Sequence, residues 1–260
     1  PSTNSWEVKS NRPGTSQSTW LSIAYDVESD RIILAEYYWS GLKRILSYDY
    51  NSDTWEEKTT LPALSNQWGA ITYDSSNDRC IIIDNDGRTY AYDYNSNTYT
   101  TKASTIYYHG DYGSGSFDVE SGKSIFISWS PAGDQVRAYD YDTNTWETKT
   151  QRPGNYQSMW SYSAYDVESD RTILVEYYWG GVQRVLSYHY NTDTWVQEKI
   201  FDGLSNIWGA IAYDGYIPIP PSIPQNLAAT AGDQQVTLTW TANTETNLAS
   251  YKVYGGTSSS

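Results

Sequence analysis

Two glutamates in duplicated surroundings are the first residues with catalytic potential. Glu36 and Glu176 each begin the tetrapeptide EYYW, and the second copy lies 140 residues after the first. A pair of carboxylates can hydrolyse a glycosidic bond when one acts as an acid and the other as a base or nucleophile. The internal repeats put the two glutamates three repeat units apart, so a glycan-active hydrolase or lyase is the least favoured of three functions.

Metal and thiol chemistry have few candidate residues. Neither His109 nor His189 has a second histidine at ligand spacing, and the lone Cys80 excludes a disulfide framework and is predicted to be a core residue. Asp84-Asn85-Asp86-Gly87 resembles part of a calcium loop but lacks the bidentate glutamate downstream, so a hairpin turn explains it better. We predict no catalytic residue, no metal and no cofactor.

Aromatic and acidic residues dominate the composition. The chain of 260 residues has 26 Tyr, 12 Trp and 3 Phe, and 31 acidic against 17 basic side chains give a net charge of −14. Such a charge excludes nucleic acid, whose phosphates are bound by Lys and Arg, and anionic membrane surfaces. No run of about 18 apolar residues is present to span a bilayer.

Internal repeats at two periods organise the chain. AYDVESDR occupies residues 24–31 and recurs unchanged at 164–171. A shorter period of 44–48 residues separates the Tyr-Asp or Phe-Asp anchors that end at Asp26, Asp74, Asp118, Asp166 and Asp214. The 140-residue unit therefore contains three short repeats.

Each short repeat is predicted to form four strands. In the first, the strands are Leu21–Tyr25, Ile32–Tyr38, Arg44–Tyr50 and Thr54–Lys58, with turn-forming Val-Glu-Ser-Asp and Asn-Ser-Asp between them. No segment has helical periodicity. Four strands repeated every 45–50 residues are typical of a β-propeller, so the predicted fold class is all-β.

The repeats resemble the kelch family of propellers. The resemblance lies in a third-strand tyrosine seven residues before a fourth-strand tryptophan: Tyr48 with Trp55, Tyr139 with Trp146, Tyr188 with Trp195, and Tyr92 with Tyr99 as the substituted copy. Arg-Pro-Gly at 12–14 and 152–154 also resembles the inter-blade segment of that family. The double glycine that kelch blades carry after the second strand is absent here. The resemblance implies four-stranded blades, and the Tyr–Trp pairs are expected to pack across strands.

The strand count predicts an incomplete propeller over residues 1–215. Four complete blades are accompanied by two orphan strands, a fourth strand at Ser5–Lys9 and a first strand at Ala210–Asp214. We expect blades to be missing upstream; the alternative is a small ring in which the two orphan strands share one incomplete blade.

A second module is predicted after a proline-rich linker. Residues 216–224 read YIPIPPSIP, a composition that favours a semi-rigid extended spacer. Residues 225–260 resemble the start of a fibronectin type III domain, with Leu227 and the alternating Val236, Leu238 and Trp240. A complete sandwich of that kind needs about 100 residues, so this stretch predicts a partial β-sandwich.

Strand alternation gathers many aromatic residues on one face of the predicted propeller. Within a blade, the loop between the second and third strands opens on the same side as the loop that leads to the next blade. The residues expected on that ligand face are Trp20, Glu36, Tyr37, Tyr38, Trp39, Trp68, Trp129, Trp160, Glu176, Tyr177, Tyr178, Trp179 and Trp208. The structural alternative is that the tryptophans wedge between blades in place of the missing glycines.

An exposed aromatic patch is typical of a binding site. Rings beside carboxylates and amides suit stacking on sugars, so the leading hypothesis is a non-enzymatic module that recognises a polysaccharide or glycoprotein. The second hypothesis is a structural or adhesive scaffold with a protein partner, because Tyr and Trp are also interface residues. The pairing of the two modules predicts an extracellular or cell-surface protein of prokaryotic type.

Overall fold

The protein folds into successive antiparallel sheets. The computed structural model describes residues 6–14, 19–38, 43–61, 69–84, 86–105, 113–128, 135–153, 159–178, 183–201, 211–212, 224–233 and 235–242. The chain divides into two compact units, Pro1–Asp214 and Gly215–Ser260. The described residues contain no helix, and hence nothing helical with the length and apolar character of a membrane span.

The first unit contains four sheets of four strands, each built from consecutive strands in chain order. Blade 1 consists of β1 (Thr19–Asp26), β2 (Arg31–Tyr38), β3 (Lys43–Asp49) and β4 (Thr54–Thr60). Blade 2 consists of β5 (Gly69–Asp74), β6 (Arg79–Asp84), β7 (Thr89–Asp93) and β8 (Thr98–Lys102). Blade 3 consists of β9 (Ser114–Asp118), β10 (Lys123–Ser128), β11 (Gln135–Asp140) and β12 (Thr145–Lys149). Blade 4 consists of β13 (Met159–Asp166), β14 (Arg171–Tyr178), β15 (Gln183–His189) and β16 (Thr194–Phe201).

These sheets are blades in a propeller arrangement. First strands of neighbouring blades lie beside one another, β1 with β5, β5 with β9, and β9 with β13. The prediction of an all-β fold with four complete four-stranded blades is confirmed. The strands extend one or two residues beyond several predicted bounds because the pairing of β1 with β2 continues to Thr19 and Tyr38.

Short acidic turns connect the strands. Asp26 accepts hydrogen bonds from the backbone of Glu28 and Ser29 at 3.1 Å, which closes the turn between β1 and β2. Asp30 ends that turn with a φ of 55°. Aspartate tolerates this left-handed conformation better than most residues because its short polar side chain bonds locally. The repeated Val-Glu-Ser-Asp sequence is therefore explained by turn geometry.

The core lies between blades. In β2, Ile33, Ala35 and Tyr37 point toward blade 2, where they pack with Ile71 and Ile82. The same alternation brings Ile81 and Ile83 of blade 2 against Phe126 of blade 3, and Ile125 and Ile127 of blade 3 against Leu174 of blade 4. Each blade therefore buries both faces of its second strand when it has a neighbour on each side.

The predicted Tyr–Trp pairs pack across strands, as expected. Tyr48 lies opposite Trp55 with ring centroids 4.7 Å apart, and Tyr188 lies opposite Trp195 at 4.8 Å. Cys80 is also buried as predicted, and burial raises the pKa of its thiol well above the usual range.

The residues of the Tyr–Trp motif also bond each blade to the segment before it, in a contact that we call the latch. Tyr48 donates to the Asp53 carboxylate at 2.7 Å, and that carboxylate also accepts the backbone N–H of Ser10 at 2.8 Å. The Trp55 indole donates to the Ser10 carbonyl at 3.1 Å. The acceptor residue recurs as Asn97, Asn144 and Asp193, each with φ near 52–53°. The Tyr–Trp motif is thus an inter-segment contact as well as a packing pair.

A cation–π contact completes each latch. The ammonium of Lys9 lies 4.1 Å from the Tyr50 ring centroid. Lys58, Lys102 and Lys149 lie at 4.3, 3.7 and 4.0 Å from Tyr94, Tyr141 and Tyr190.

The expected orphan fourth strand at Ser5–Lys9 is wrong over its described part. Residues 6–10 lack strand pairing, and Trp6 is fully exposed. A strand needs a neighbouring strand to accept its backbone hydrogen bonds, and here the segment contacts blade 1 through Glu7, Lys9 and Ser10 instead. Of the expected first strand Ala210–Asp214, only residues 211–212 are described, and they form no strand.

The second unit contains an antiparallel hairpin, β17 (Gln225–Gly232) and β18 (Gln235–Thr241). Nearly all of its described residues are exposed, including Leu227 and Val236. Isolated two-stranded hairpins are marginally stable. Membership of the fibronectin type III family stays a prediction.

Candidate functional site

The backbone register places several predicted ligand residues at one end of blades 1 and 4. Trp20, near the start of β1, lies opposite Tyr37, near the end of β2. In blade 4, Trp160 lies opposite Tyr177 in the same way. We call this end of the two blades the aromatic edge, comprising Trp20, Tyr37, Tyr38, Trp160, Tyr177 and Tyr178.

The described rings at the aromatic edge differ in exposure. Tyr37 is 1 % exposed and packs between blades 1 and 2. Tyr177 is partly exposed and forms an edge-to-face contact with Tyr162, with centroids 5.9 Å apart. Trp39, Trp68, Trp129, Trp179 and Trp208 lie outside the described residues, as does His109.

Glu36 lies in the protein interior between two arginines. Its carboxylate is 1 % exposed and accepts from Arg12 and, at 2.5 Å, from Nε of Arg44. Arg44 also bonds Glu57 and the carbonyl of Pro13, each at 2.5 Å. The glutamate therefore connects β2 and β3 to the Arg-Pro-Gly segment that precedes blade 1.

Glu176 repeats this arrangement and is more deeply buried. It accepts from Arg152 and Arg184, whose side chains are 1 % and 5 % exposed. Arg184 donates to the Pro153 carbonyl at 2.5 Å. Asp84 and Ser128 occupy the equivalent positions of blades 2 and 3, and both are buried.

The two Arg–Glu–Arg groups are suited to holding strands and the preceding segments in place rather than to acid–base catalysis. Both oxygens of each carboxylate are engaged by guanidinium groups, so neither glutamate presents an oxygen toward solvent in this arrangement. Buried charges are retained only when they are paired and hydrogen-bonded. Sequence reasoning selected the glutamates but missed Arg12, Arg44, Arg152 and Arg184. The sequence could have indicated them, because these arginines recur at the same 140-residue offset as the two glutamates.

The Asp84–Gly87 segment forms the turn between β6 and β7. Asp84 accepts the backbone N–H groups of Asp86 and Arg88 at 3.0 and 2.8 Å. Gly87 has a φ of 77°, and a Cβ there would collide with the carbonyl of Thr105. Residues 85–88 separate the two strands, so the predicted hairpin turn is present.

Two clusters of three carboxylates lie between blades at equivalent places. One contains Asp26, Glu28 and Asp78, and the other Asp118, Glu120 and Asp170. Burial raises the pKa of Asp78 and of Asp118.

Side chains of the protein already bond these carboxylates. The amide of Asn95 donates to Glu28 and Asp78 at 3.2 and 3.1 Å, and Tyr73 donates to Asp78 at 3.0 Å. In the second cluster Tyr165 donates to Asp170 at 2.7 Å, and His189 lies 3.1 Å from that aspartate. Calcium takes six to eight oxygen ligands, so three carboxylates that also accept internal donors do not make a complete site.

Comparison with known proteins supports the fold. No protein-family model matches the chain, and no curated protein matches its sequence. An auxiliary nutrient binding protein from Bacteroides ovatus is similar in structure at 13 % identity and a TM-score of 0.50, over 72 % of this chain and 43 % of that one.

Two further solved structures show weaker likeness. TolB from Acinetobacter baumannii has 16 % identity and a TM-score of 0.48 over 68 % of this chain and 42 % of its own. A chain of the nidogen/laminin complex has 9 % identity and a TM-score of 0.46, over 70 % of this chain and 80 % of its own. The chain thus spans less than half the length of the nutrient binding protein and of TolB.

Proposed function

We propose that this protein is a non-enzymatic binding module that recognises carbohydrate through the aromatic edge. The observation that carries the proposal is the register of blades 1 and 4, which sets a tryptophan opposite a tyrosine at the same end of both sheets. Trp and Tyr rings combine a flat apolar body with a polar group, which suits the apolar faces and hydroxyls of a sugar. The similarity of this fold to that of a bacterial nutrient binding protein is compatible with such a role.

The charge distribution supports a neutral ligand. A net charge of −14 disfavours acidic polymers. At the aromatic edge, the arginines Arg44 and Arg184 are buried and engaged with Glu36 and Glu176. We therefore expect neutral polysaccharides or neutral glycans of glycoproteins as ligands.

The ion-paired glutamates support a binding role over a hydrolytic one. A glycosidase needs one carboxyl group that donates a proton and a second that attacks or activates water. The carboxylates of Glu36 and Glu176 are each held by two guanidinium groups and are almost fully buried. Their proposed role is to hold the second and third strands rigid beneath the rings.

The remaining assignments belong to the same proposal. We assign the blades to a divergent kelch type because the Tyr–Trp pairs make the latch in a repeated manner. Residues 225–260 are proposed to begin a fibronectin type III module after the linker 216–224. Together with a carbohydrate ligand, these proposed assignments support a location outside the cell or at its surface.

Glycan binding by the full chain tests the function. Immobilised neutral polysaccharides should retain the protein, and Trp20→Ala combined with Trp160→Ala should weaken binding by at least about tenfold, since aromatic anchors carry most of the energy in such contacts. The control is Trp6→Ala, which removes a fully exposed ring from the segment before blade 1. Absence of binding to every neutral glycan, or equal loss in the control, would overturn the proposal.

A further inference from the structure

The turn between the third and fourth strands of each blade is closed by the last residue of the third strand. In blades 1 to 3 this residue is an aspartate, namely Asp49, Asp93 and Asp140. Each aspartate accepts the backbone N–H of the residue three positions later, at 3.2, 3.1 and 3.1 Å. A short acidic side chain is well suited to this contact with its own turn. A carboxylate is therefore the cap of the turn in three of the four blades.

Blade 4 has His189 as the cap of this turn. The backbone N–H of Thr192 donates to Nδ1 of His189 at 3.1 Å, and the Thr192 hydroxyl lies 2.8 Å from the same nitrogen. The rest of the turn resembles that of blade 2, because the Asp193 N–H donates to the Tyr190 carbonyl at 3.1 Å. The imidazole thus takes over the hydrogen-bonding role of the carboxylate without a change of turn geometry.

The contact with Thr192 determines which nitrogen of His189 carries the proton. A neutral imidazole has one nitrogen that donates and one that accepts. Because Nδ1 accepts from Thr192, the proton of the neutral ring belongs on Nε2, which lies 3.1 Å from the carboxylate of Asp170. His189 therefore connects its own turn to the turn between β13 and β14.

The charged groups around the imidazole come from two blades. Asp170 forms the second carboxylate cluster together with Asp118 and Glu120 of blade 3. Arg171 is the neighbouring cation at the start of β14, and its guanidinium donates to the carbonyls of the two preceding residues. A second proton on the imidazole would therefore stand beside carboxylates, and it would turn the contact with Asp170 into an ion pair.

Protonation has opposite effects on the two contacts of the ring. Histidine is the side chain whose charge ordinarily changes between about pH 5 and 8. Both nitrogens of the protonated ring are donors, so Nδ1 no longer accepts the Thr192 N–H, whereas Nε2 keeps Asp170 in a charge-assisted hydrogen bond. The aspartate caps stay unchanged over this range, because the Ser52 N–H lowers the pKa of Asp49 below its ordinary value.

The turn that His189 caps bonds blade 4 to the segments before it. The residue before Thr192, Asn191, donates its amide to Glu120 of blade 3. The residue after it, Asp193, accepts the backbone N–H of Thr150 at 2.8 Å in the latch of blade 4. Release of the Thr192 N–H therefore acts on a turn whose two neighbouring residues both hold the preceding part of the chain.

We propose that His189 makes the turn between β15 and β16 a pH-sensitive contact between blade 4 and the segments that precede it. When the imidazole takes up a proton, the turn opens at Thr192 while the ring stays bound to Asp170. The latch of blade 4 then loosens in mild acid, and the latches of blades 1 to 3 do not.

Nitrogen-15 NMR of the full chain tests the proposal at the ring and at the turn. The ring nitrogens of His189 report the tautomer, and His109→Gln assigns the signals of the two histidines. We expect an unprotonated Nδ1 at pH 8 and a protonated one at pH 5.5. Over the same interval the hydrogen-exchange protection of the Thr192 amide, corrected for the intrinsic rate, should fall by at least about fivefold, while the Ser52 and Ser96 amides keep theirs.

The matched variant is His189→Asp, which gives blade 4 the cap of the other blades. Arg171 stands at the position of Arg31, whose guanidinium bonds Asp49 at 3.0 Å, so a carboxylate is accommodated there. His189→Asn is a second variant that keeps an uncharged carbonyl acceptor. In both variants the protection of the Thr192 amide should be equal at the two pH values. A proton on Nδ1 at pH 8, a Thr192 amide insensitive to pH in the unaltered chain, or an equal pH dependence in the variants would overturn the proposal.

Discussion

At the residue scale, the two duplicated glutamates have similar local sequences but are expected to contribute differently to the free energy of unfolding. Glu36 and Glu176 both begin the tetrapeptide EYYW, and each bonds two arginines. Arg12 is 26 % exposed, whereas Arg152 is 1 % exposed. Solvent screens an exposed ion pair strongly and a buried one much less.

Removing the carboxylate charge should therefore cost more in blade 4 than in blade 1. Glu176→Gln removes the carboxylate charge that two buried guanidinium groups contact, and we expect the free energy of unfolding to fall by about 3 kcal/mol or more. Glu36→Gln is the matched control and should cost less, because water reaches Arg12. Urea unfolding measures both values, and equal losses would contradict this account.

At the element scale, the latch explains why a tyrosine and a tryptophan seven residues apart recur in the chain. Each latch holds the preceding segment, which is the end of a fourth strand except before blade 1, against the third and fourth strands of the following blade. In blade 3, the Asn144 side chain accepts from Tyr139 and from the backbone N–H of Ala103, each at 2.8 Å. Asn144 also has a φ of 53°, so hydrogen bonding and backbone conformation both favour asparagine there.

Two substitutions at Asn144 should separate these contributions. Asn144→Ala loses two hydrogen bonds, each worth about 1 kcal/mol, and adds about 1 kcal/mol for a left-handed alanine. Asn144→Gly loses the hydrogen bonds but tolerates the positive φ. We expect alanine to lower the free energy of unfolding more than glycine does. A larger loss for glycine would show that the backbone conformation contributes little.

At the scale of the whole molecule, acidic groups affect stability in two opposite ways. The hydrogen bond from Tyr48, followed by those from Ser10, lowers the pKa of Asp53. Its contribution is present above the unfolded-state pKa and is lost as the pH falls through the lowered folded value. Burial raises the pKa of Asp118. The buried carboxylate therefore lowers stability at high pH, and this cost is relieved as the pH falls through the raised folded-state pKa toward the unfolded-state pKa.

Mild acid should therefore stabilise the protein before strong acid unfolds it. Protonation of Asp118 and relief of repulsion within a chain of net charge −14 act together. We expect Tm to rise as the pH falls from neutral toward the ordinary aspartate pKa of about 4, and to rise less for Asp118→Asn. Glu168→Gln, which removes one exposed charge, is the control for net charge. An unchanged pH dependence in Asp118→Asn would exclude this aspartate as a source.

The sequence alone determined the repeats, the four-stranded blades and the packing of each Tyr–Trp pair, because strand alternation and turn chemistry are local properties with a short period. It also predicted the burial of Cys80, which lies in a strand of apolar residues. The aromatic edge follows from strand direction, and its role in binding stays a prediction.

Only the tertiary structure decided which charges are buried and which faces are open. The contacts of Glu176 with Arg152 and of Asp193 with Thr150 join residues 24 and 43 positions apart on different segments. Ile33 is buried against blade 2, whereas its counterpart Ile173 is partly exposed. Burial is set by the neighbouring sheet, so similar local sequences acquire different surroundings, which a repeat pattern alone does not predict.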